Sequence, residues 1–517
     1  MRDTAQSRKG RSYRTLRLLT VLTVAAISLA GCQEALASGD VFQDEKIDGP
    51  LLDRLASGGS IPVAVLLKSQ LLLGPDALED FASQNGGRNR SDLRREVISR
   101  LKETAASEQA GVLNALNSPD GARGTWIANA IFVSLTPDQI RTASALELVR
   151  YIYLMPRRSA SYDNPGLIST VLTPRPRPPF SINGKRVPWN VEQIGADRVW
   201  QELGVTGEGV VVAMIDNGTN YTHPDLAANV WTNSGEIANN GVDDDANGLV
   251  DDYYGFNFRQ GVTEVQLNPA YGNGAGHGTW TAGIVLGDGS GGTITGIAPR
   301  ARLMITIAGG DTYAMSRALQ YALDEGADVA TMSFSIPNLG NVRGLWRLMA
   351  DHAVAAGLVQ VSGAGNFQQS AAPGVQQRIP EGIPSVISVG GVDPDLQLVP
   401  FSSLGPVSWS SVMFYGDHAN LTKPDVAAFP GPEFPLIRAE GAGYLDPNTR
   451  RGNSFSGPHA TGVAALMLSA NPELPAWEVQ EILRATARDL APEGVDNRTG
   501  AGLIDAEAAV REVLARR

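Results

Sequence analysis

The sequence of 517 residues contains very little cysteine, since Cys32 is the only one. One thiol cannot close a disulfide within the chain, so stability must come from core size, a metal, or both. Acidic residues outnumber basic ones, 54 to 42, and the net charge of −12 argues against a nucleic-acid partner, because phosphate binding needs a basic footprint. The length allows two or three domains, and 43% hydrophobic residues is a globular composition.

The sequence also lacks an apolar run long enough to span a bilayer. Leu18 to Ala30 is uncharged but short of the roughly 20 residues that a spanning helix needs. Basic residues precede this run and small residues follow it, which predicts a secretory signal over 1–31.

The end of this signal, Leu29-Ala30-Gly31-Cys32, resembles the lipobox of bacterial lipoproteins. The resemblance implies that Cys32 is lipidated and that the exported protein is held at a membrane surface of the cell envelope. The alternative is an ordinary signal peptide with a chance cysteine, which would leave the protein extracellular.

The rest of the chain divides into four parts: a polar tether over 32–60, a small domain over 60–160, a proline-rich linker over 161–186, and a large domain over 187–517. Hydrophobic runs and helical spacing predict a small α+β unit for the first domain. Its expected elements are strands at Ile61–Lys68, Ala128–Leu135 and Val149–Leu154 and helices at 91–117 and Pro137–Leu146.

The large domain alternates hydrophobic strands with helical stretches, which predicts an α/β fold with a mostly parallel sheet and helices on both faces. The expected strands include Gly209–Ile215, Val329–Phe334 and Leu358–Val361. In such sheets functional residues collect at the carboxyl ends of the strands, and Asp216 and Asn366 both follow strands.

Histidine is scarce as well, with five residues in the chain. A serine hydrolase needs a base, and that base is usually histidine. His277 lies between glycines that allow close approach, whereas His352 lies in an alanine-rich helix and His418 in a loop without chemical neighbours. Among these three, His277 is the best candidate for a base.

Three segments in order carry a family resemblance. Together they resemble the subtilisin family, whose triad runs Asp, His, Ser in the chain, and the resemblance extends over about 187–512. The segments are Val210-Val211-Val212-Ala213-Met214-Ile215-Asp216-Asn217-Gly218, His277-Gly278-Thr279-Trp280-Thr281-Ala282-Gly283 and Gly452-Asn453-Ser454-Phe455-Ser456-Gly457-Pro458-His459, supported by Ala364-Gly365-Asn366 and Lys423-Pro424-Asp425-Val426-Ala427.

The resemblance implies a serine endopeptidase that acts on proteins or peptides through an acyl-enzyme on Ser454. His277 is then the general base and Asp216 its orienting partner. The Ser454 amide, placed just before a helix, and the Asn366 side chain would bind the oxyanion. The substrate cleft is expected at Gly365 and at a segment that departs from the usual Ser-Leu-Gly, Ser333-Phe334-Ser335.

An acidic stretch between the Asp and His motifs predicts a structural calcium site. Oxygen-bearing side chains at positions 1, 3, 5 and 9 and a glycine at position 6 follow the spacing of an EF-hand loop, although position 12 is Tyr254 rather than glutamate. A solvated acidic turn is the alternative. The expected ligands are Asp243, Asp245, Asn247, Leu249 and Asp251.

The domain at 60–160 resembles the inhibitory prodomain of the family, which implies a zymogen with an intramolecular inhibitor; an unrelated adaptor domain is the alternative. We expect a monomer. Two other functions remain open: a catalytically inactive peptide-binding scaffold on the same fold, and a sedolisin-type acid peptidase. The second is disfavoured, because it would need a glutamate where His277 stands.

Overall fold

The computed structural model describes residues 44–156, 180–267, 275–431, 433–445 and 450–517. The predicted signal, Cys32 and most of the proline-rich linker lie outside these residues. Within them, no helix combines the length and apolar character needed to cross a membrane.

The N-terminal domain is a small α+β unit, as predicted. Its strands are β1 Ile61–Leu67, β2 Arg123–Thr125, β3 Ala130–Leu135 and β4 Val149–Leu154, and its helices are α1 Gly49–Arg54, α2 Ala77–Asn85, α3 Arg90–Ala115 and α4 Pro137–Ala145. The strands form an antiparallel sheet in the order β2-β3-β1-β4. Helix α4 begins with a capping box, in which Thr136 and Gln139 satisfy each other's backbone amides.

The structure differs from the predicted tether over its described part. Residues 44–57 form two short 3₁₀ helices around α1, and three of their apolar side chains pack under the sheet of the N-terminal domain. Ile47 forms an isolated β-bridge with Ile152, Leu51 lies in α1 and Leu55 in the 3₁₀ helix that follows, and all three side chains are buried. Ile47, Leu51 and Leu55 are therefore part of the core of the N-terminal domain, although they lie in the segment predicted as a tether.

The large domain is an α/β unit, as predicted, and it begins with a hairpin at residue 180. Its strands are β5 Phe180–Ile182, β6 Lys185–Val187, β7 Val211–Ile215, β8 Gly255–Asn257, β9 Arg302–Ile307, β10 Val329–Thr331, β11 Val359–Gly363, β12 Ile387–Gly391, β13 Val426–Ala428, β14 Leu436–Ile437 and β15 Tyr444–Leu445. Its helices are α5 Trp189–Gln193, α6 Ala196–Glu202, α7 Pro224–Ala227, α8 His277–Leu286, α9 Thr312–Asp324, α10 Val342–Ala355, α11 Asn453–Ala470, α12 Ala476–Ala485 and α13 Ala506–Ala515.

Seven of these strands pair in parallel in the order β13-β12-β11-β10-β7-β9-β8. Alternate side chains of β7 enter two different cores. Val212 and Met214 pack with α8, α11 and α13, and Ala213 and Ile215 pack with α9 and α10. The sheet is thus buried on both faces, which explains why its strands are continuously hydrophobic in the sequence.

The N-terminal domain packs against α9 and α10. One face of its own sheet, including Leu66 and Phe132, joins the core that lies on that side of the large sheet. Polar groups also cross the boundary: Arg94 donates to the carbonyl oxygens at the end of α9, and the Gln320 side chain accepts from Thr125. The two domains therefore share one buried interface.

Strand β10 is shorter than the predicted Val329–Phe334, since it ends at Thr331. Beyond Thr331 the strand ends, and the chain contacts Ser454. Both backbone and side chain of Ser333 are engaged there, because its carbonyl accepts from Ser454 Oγ and its hydroxyl donates to the Ser454 carbonyl.

Candidate active site

Asp216 and His277 form a buried hydrogen-bonded pair. Asp216 follows β7 at the carboxyl edge of the sheet, and His277 is the first residue of α8. His277 Nδ1 lies 2.9 and 2.8 Å from the two Asp216 carboxylate oxygens, and the Asn217 amide donates to the same carboxylate at 2.7 Å. This arrangement fixes Nδ1 as the protonated nitrogen and leaves Nε2 as the base.

Ser454 does not hydrogen-bond His277 in this structure. Its Oγ instead donates to the Ser333 carbonyl at 3.4 Å, and His277 Nε2 is buried with no hydrogen-bond partner among the described residues. The rings of His277 and Phe455, the residue after Ser454, stack with centroids 6.3 Å apart. Catalytic hydrogen bonds often tighten only when substrate is bound, so a rotation of the Ser454 side chain can complete the pair.

Ser454 lies within the first turn of α11, whereas the sequence had predicted a position just before the helix. The helix begins at Asn453, after the N-cap Gly452. Amides in the first turn have no acceptor within their own helix, and the helix dipole makes this end favourable for negative charge. The Ser454 amide therefore remains suitable as an oxyanion donor.

Asn366 lies beside this helix end, after β11. Its Oδ1 accepts from the Asn453 amide at 2.8 Å, which orients the amide group and leaves Nδ2 available. Gly452 leaves room for the Asn366 side chain, because a Cβ atom at residue 452 would lie only 3.2 Å from Asn366 Nδ2. Gly365 has a φ of +86°, a conformation that favours glycine and turns the chain into this position.

Asn453 is a positioning residue that the sequence reasoning missed. Its side-chain amide donates to the Gly365 carbonyl at 2.7 Å and to Ser402 Oγ at 3.0 Å. It thereby connects the helix that carries Ser454 to the loop that carries Asn366. Its position next to the nucleophile, where threonine is commoner, was a signal in the sequence, but its partners lie 51 and 88 residues away.

Two other departures from the family pattern are packing residues. Phe455 is fully buried and Trp280 is 4% exposed. Trp280 carries the Arg450 guanidinium over its ring at 4.9 Å. Both side chains pack into the hydrophobic core of the large domain, and neither change alters Asp216, His277 or Ser454.

Two further buried histidines, His459 and His352, have structural roles. His459 contacts the Phe455 carbonyl through Nδ1 and the Asn190 side chain through Nε2. His352 accepts from the Leu72 amide and contacts the Ile127 carbonyl, both in the N-terminal domain. Burial lowers the pKa of each of these histidines to about 4, so both are neutral at neutral pH.

The acidic loop brings together three carboxylates, of which two were predicted as ligands. Oxygen atoms of Glu236, Asp243 and Asp245 lie within 4.8 Å of one another. Glu236, which the spacing argument missed because it lies outside the loop, also accepts from loop amides. The Asp251 carboxylate instead accepts from the amides of Asn240 and Gly241.

The surroundings of this cluster suit a hard cation. Burial, together with the carboxylates of Asp252 and Asp245, raises the pKa of Glu325 to about 7. Concentrated negative charge of this kind, offered by oxygen donors, is the ligand set that Ca²⁺ prefers. The residues present therefore fit a calcium ion held by Glu236, Asp243 and Asp245.

Comparisons with known proteins show which family this sequence resembles. The family model described as "Subtilase family" matches residues 207–502. The chain is 30% identical over 332 residues to subtilisin DY of Bacillus licheniformis, covering 63% of this chain and 99% of that one. It is 26% identical over 430 residues to fervidolysin of Fervidobacterium pennivorans, covering 75% of this chain and 53% of that protein.

A further relative is a probable subtilase-type serine protease of Deinococcus radiodurans, 28% identical over 327 residues, which cover 60% of this chain and 41% of that protein. The chain thus spans about half the length of fervidolysin and less of the Deinococcus protein. The family match alone covers more than half of the chain and includes Asp216, His277, Asn366 and Ser454. The chain therefore belongs to the subtilase family, a family of serine proteases.

Proposed function

We propose that the protein is an exported serine endopeptidase that hydrolyses peptide bonds of proteins through an acyl-enzyme on Ser454. The observation that carries this proposal is the buried Asp216–His277 pair, with hydrogen bonds of 2.8 and 2.9 Å, beside a serine in the first turn of α11. A hydroxyl is a weak nucleophile without such a base.

In the proposed reaction His277 Nε2 takes the proton of Ser454 Oγ as that oxygen attacks the scissile carbonyl carbon. The resulting oxyanion accepts hydrogen bonds from the Ser454 amide and Asn366 Nδ2. Asp216 stabilises the imidazolium, which then protonates the leaving amine. Water, deprotonated by the same nitrogen, releases the acid product and restores the serine.

Hydrolysis of a protein substrate by the mature protein, after its N-terminal domain has been cleaved away, tests this proposal. Wild type should degrade casein and Ser454→Ala should lose at least about 1000-fold of that activity. Ser469→Ala, at the far end of the same helix, is the matched control and should behave as wild type. A wild-type protein without hydrolytic activity would favour the rival function, an inactive peptide-binding scaffold.

The acidic loop is proposed to hold one structural calcium ion through Glu236, Asp243 and Asp245. An ion that binds the folded state alone stabilises it in proportion to its concentration. This contribution is useful in a chain that has one cysteine and so no internal disulfide.

The N-terminal domain is proposed to act as an intramolecular inhibitor until it is cleaved away. Leu154, the last residue of β4, and Pro156 line one cavity together with Ile336 and Ile379 of the large domain. Ile336 directly follows the segment Ser333–Ser335, so this edge of the N-terminal domain lies beside the residues expected to line the substrate cleft. This position supports inhibition of the cleft by the N-terminal domain.

Export and a lipid on Cys32 complete the proposal, and they rest on the signal and the lipobox-like ending. Mass spectrometry of the mature N-terminus tests both together. The expected results are a lipid mass on an N-terminal piece that starts at Cys32 and a separate catalytic piece that starts between about 160 and 188. An unmodified Cys32 in the mature protein would refute the anchor without affecting the proposed chemistry.

A further inference from the structure

Glu381 is a fully buried carboxylate next to the substrate cleft. Its Oε1 accepts from Ser335 Oγ at 2.6 Å and from the Arg378 amide at 3.0 Å. Its Oε2 has no hydrogen-bond partner among the described residues. Leaving a buried carboxylate oxygen unpaired is costly, and here burial raises the pKa of the group to about 7.

The contact with Ser335 places the carboxylate next to the segment expected to line the substrate cleft. Ser335, which binds it, is two residues from Ser333, whose carbonyl is 3.4 Å from the nucleophile Oγ. Two extended residues span at most about 7 Å. A bridge between Ile336 and Ile379 fixes the two segments side by side. Glu381 is therefore about one long side chain away from the carbonyl that Ser454 would attack.

No donor among the described residues binds the Oε2 atom of Glu381. The buried Lys423 ammonium is 2.7 Å from Asp425 and donates to the Val386 carbonyl. The Arg378 guanidinium lies over the Phe367 ring at 3.4 Å, and its charge opposes the rise in the pKa of Glu381. Oε2 is therefore the carboxylate atom that can accept a hydrogen bond from a cation that comes from outside.

We propose that Glu381 determines specificity, by binding the ammonium or guanidinium of a lysine or arginine at the substrate residue that supplies the scissile carbonyl. This inference rests on the proposed endopeptidase function and adds a preference to it. Ser335 is the positioning residue, because its hydroxyl holds one carboxylate oxygen and leaves the other for the incoming cation.

Three peptides that differ at this one residue test the proposal: lysine, Nε-acetyl-lysine and leucine. The mature protein at pH 8 should show a kcat/KM about 10- to 100-fold higher for lysine than for acetyl-lysine, the range expected for a hydrogen bond to a charged group. Glu381→Gln should abolish this ratio and still cleave the leucine peptide. The exposed Glu493→Gln is the matched control and should keep the wild-type ratio.

Equal cleavage of the lysine and acetyl-lysine peptides by wild type would overturn the inference while leaving the proposed function intact. Retention of the lysine preference in Glu381→Gln would overturn it as well. Absence of cleavage of all three peptides would refute the endopeptidase function itself. The comparison of lysine with acetyl-lysine uses the wild-type enzyme, so it tests the preference for a charged side chain even if Glu381→Gln does not fold.

Discussion

Replacement of Arg90 by methionine should weaken the attachment of the N-terminal domain severely. Arg90 begins α3 and is 8% exposed. Its guanidinium donates twice to the Gly357 carbonyl, at 3.1 and 2.6 Å, once to the Pro472 carbonyl at 3.2 Å, and pairs with Asp328 at 2.9 Å. Methionine keeps most of the packing but leaves Asp328 without this cation, and breaking a buried pair in this way costs about 3–5 kcal/mol.

Hydrogen exchange of the Leu72 amide measures the loss, because this amide donates to His352 across the domain interface. In a Ser454→Ala background, which prevents self-cleavage, Arg90→Met should accelerate the exchange by at least about 100-fold. The matched control is Arg88→Met, which removes a solvent-exposed pair with Glu96 that contributes little to stability. Equal exchange rates in the two variants would refute the reasoning.

Three further predictions concern the site, the metal and acid stability. Asn366→Ala should lower kcat by about 100- to 1000-fold with little change in KM, a magnitude known for subtilisin, and a loss below 10-fold would remove Asn366 from the oxyanion hole. Glu236→Gln should abolish the rise in Tm that calcium produces in wild type; an undiminished rise would place the ion elsewhere. Because the folded-state pKa values of His352 and His459 are about 4 and unfolded histidine titrates near 6.5, the unfolded chain binds more protons in this window. The contribution of each histidine to the free energy of unfolding should therefore fall by about 3 kcal/mol as pH drops from 6.5 to 4, while carboxyls with a raised pKa, such as Glu325 and Glu381, contribute in the opposite direction. The difference between wild type and His352→Gln in urea titrations isolates the His352 share: wild type should lose about 3 kcal/mol more than the variant over this range, and equal losses would contradict it.

Much of the fold was predictable because local patterns and tertiary structure agree. The strand predicted over Val149–Leu154 has those bounds in the structure, and the helix predicted over 91–117 runs from Arg90 to Ala115. The segment at 44–57 was mistaken for a tether because its apolar residues are few. Their burial depends on the sheet of the N-terminal domain, which a local pattern does not reveal.

The active site was predictable where the family resemblance supplied residues and unpredictable where contacts join distant parts of the chain. Asp216 and His277 are 61 residues apart and still meet as expected. Glu236 and Glu381 gave no sequence signal, because a single glutamate acquires meaning only from its burial and neighbours. The role of His352 was hidden for the same reason, since its partners lie 225 and 280 residues away in another domain.

Labelling by a fluorophosphonate tests the central claim most directly, because this reagent reacts with a serine that a neighbouring base has activated. The account predicts that the mature wild-type protein gains one adduct, that mass spectrometry of its peptides locates it on Ser454, and that His277→Ala abolishes it. An adduct on another serine, or an unlabelled Ser454 in the folded mature protein, would contradict the claim that Asp216, His277 and Ser454 form a working catalytic triad.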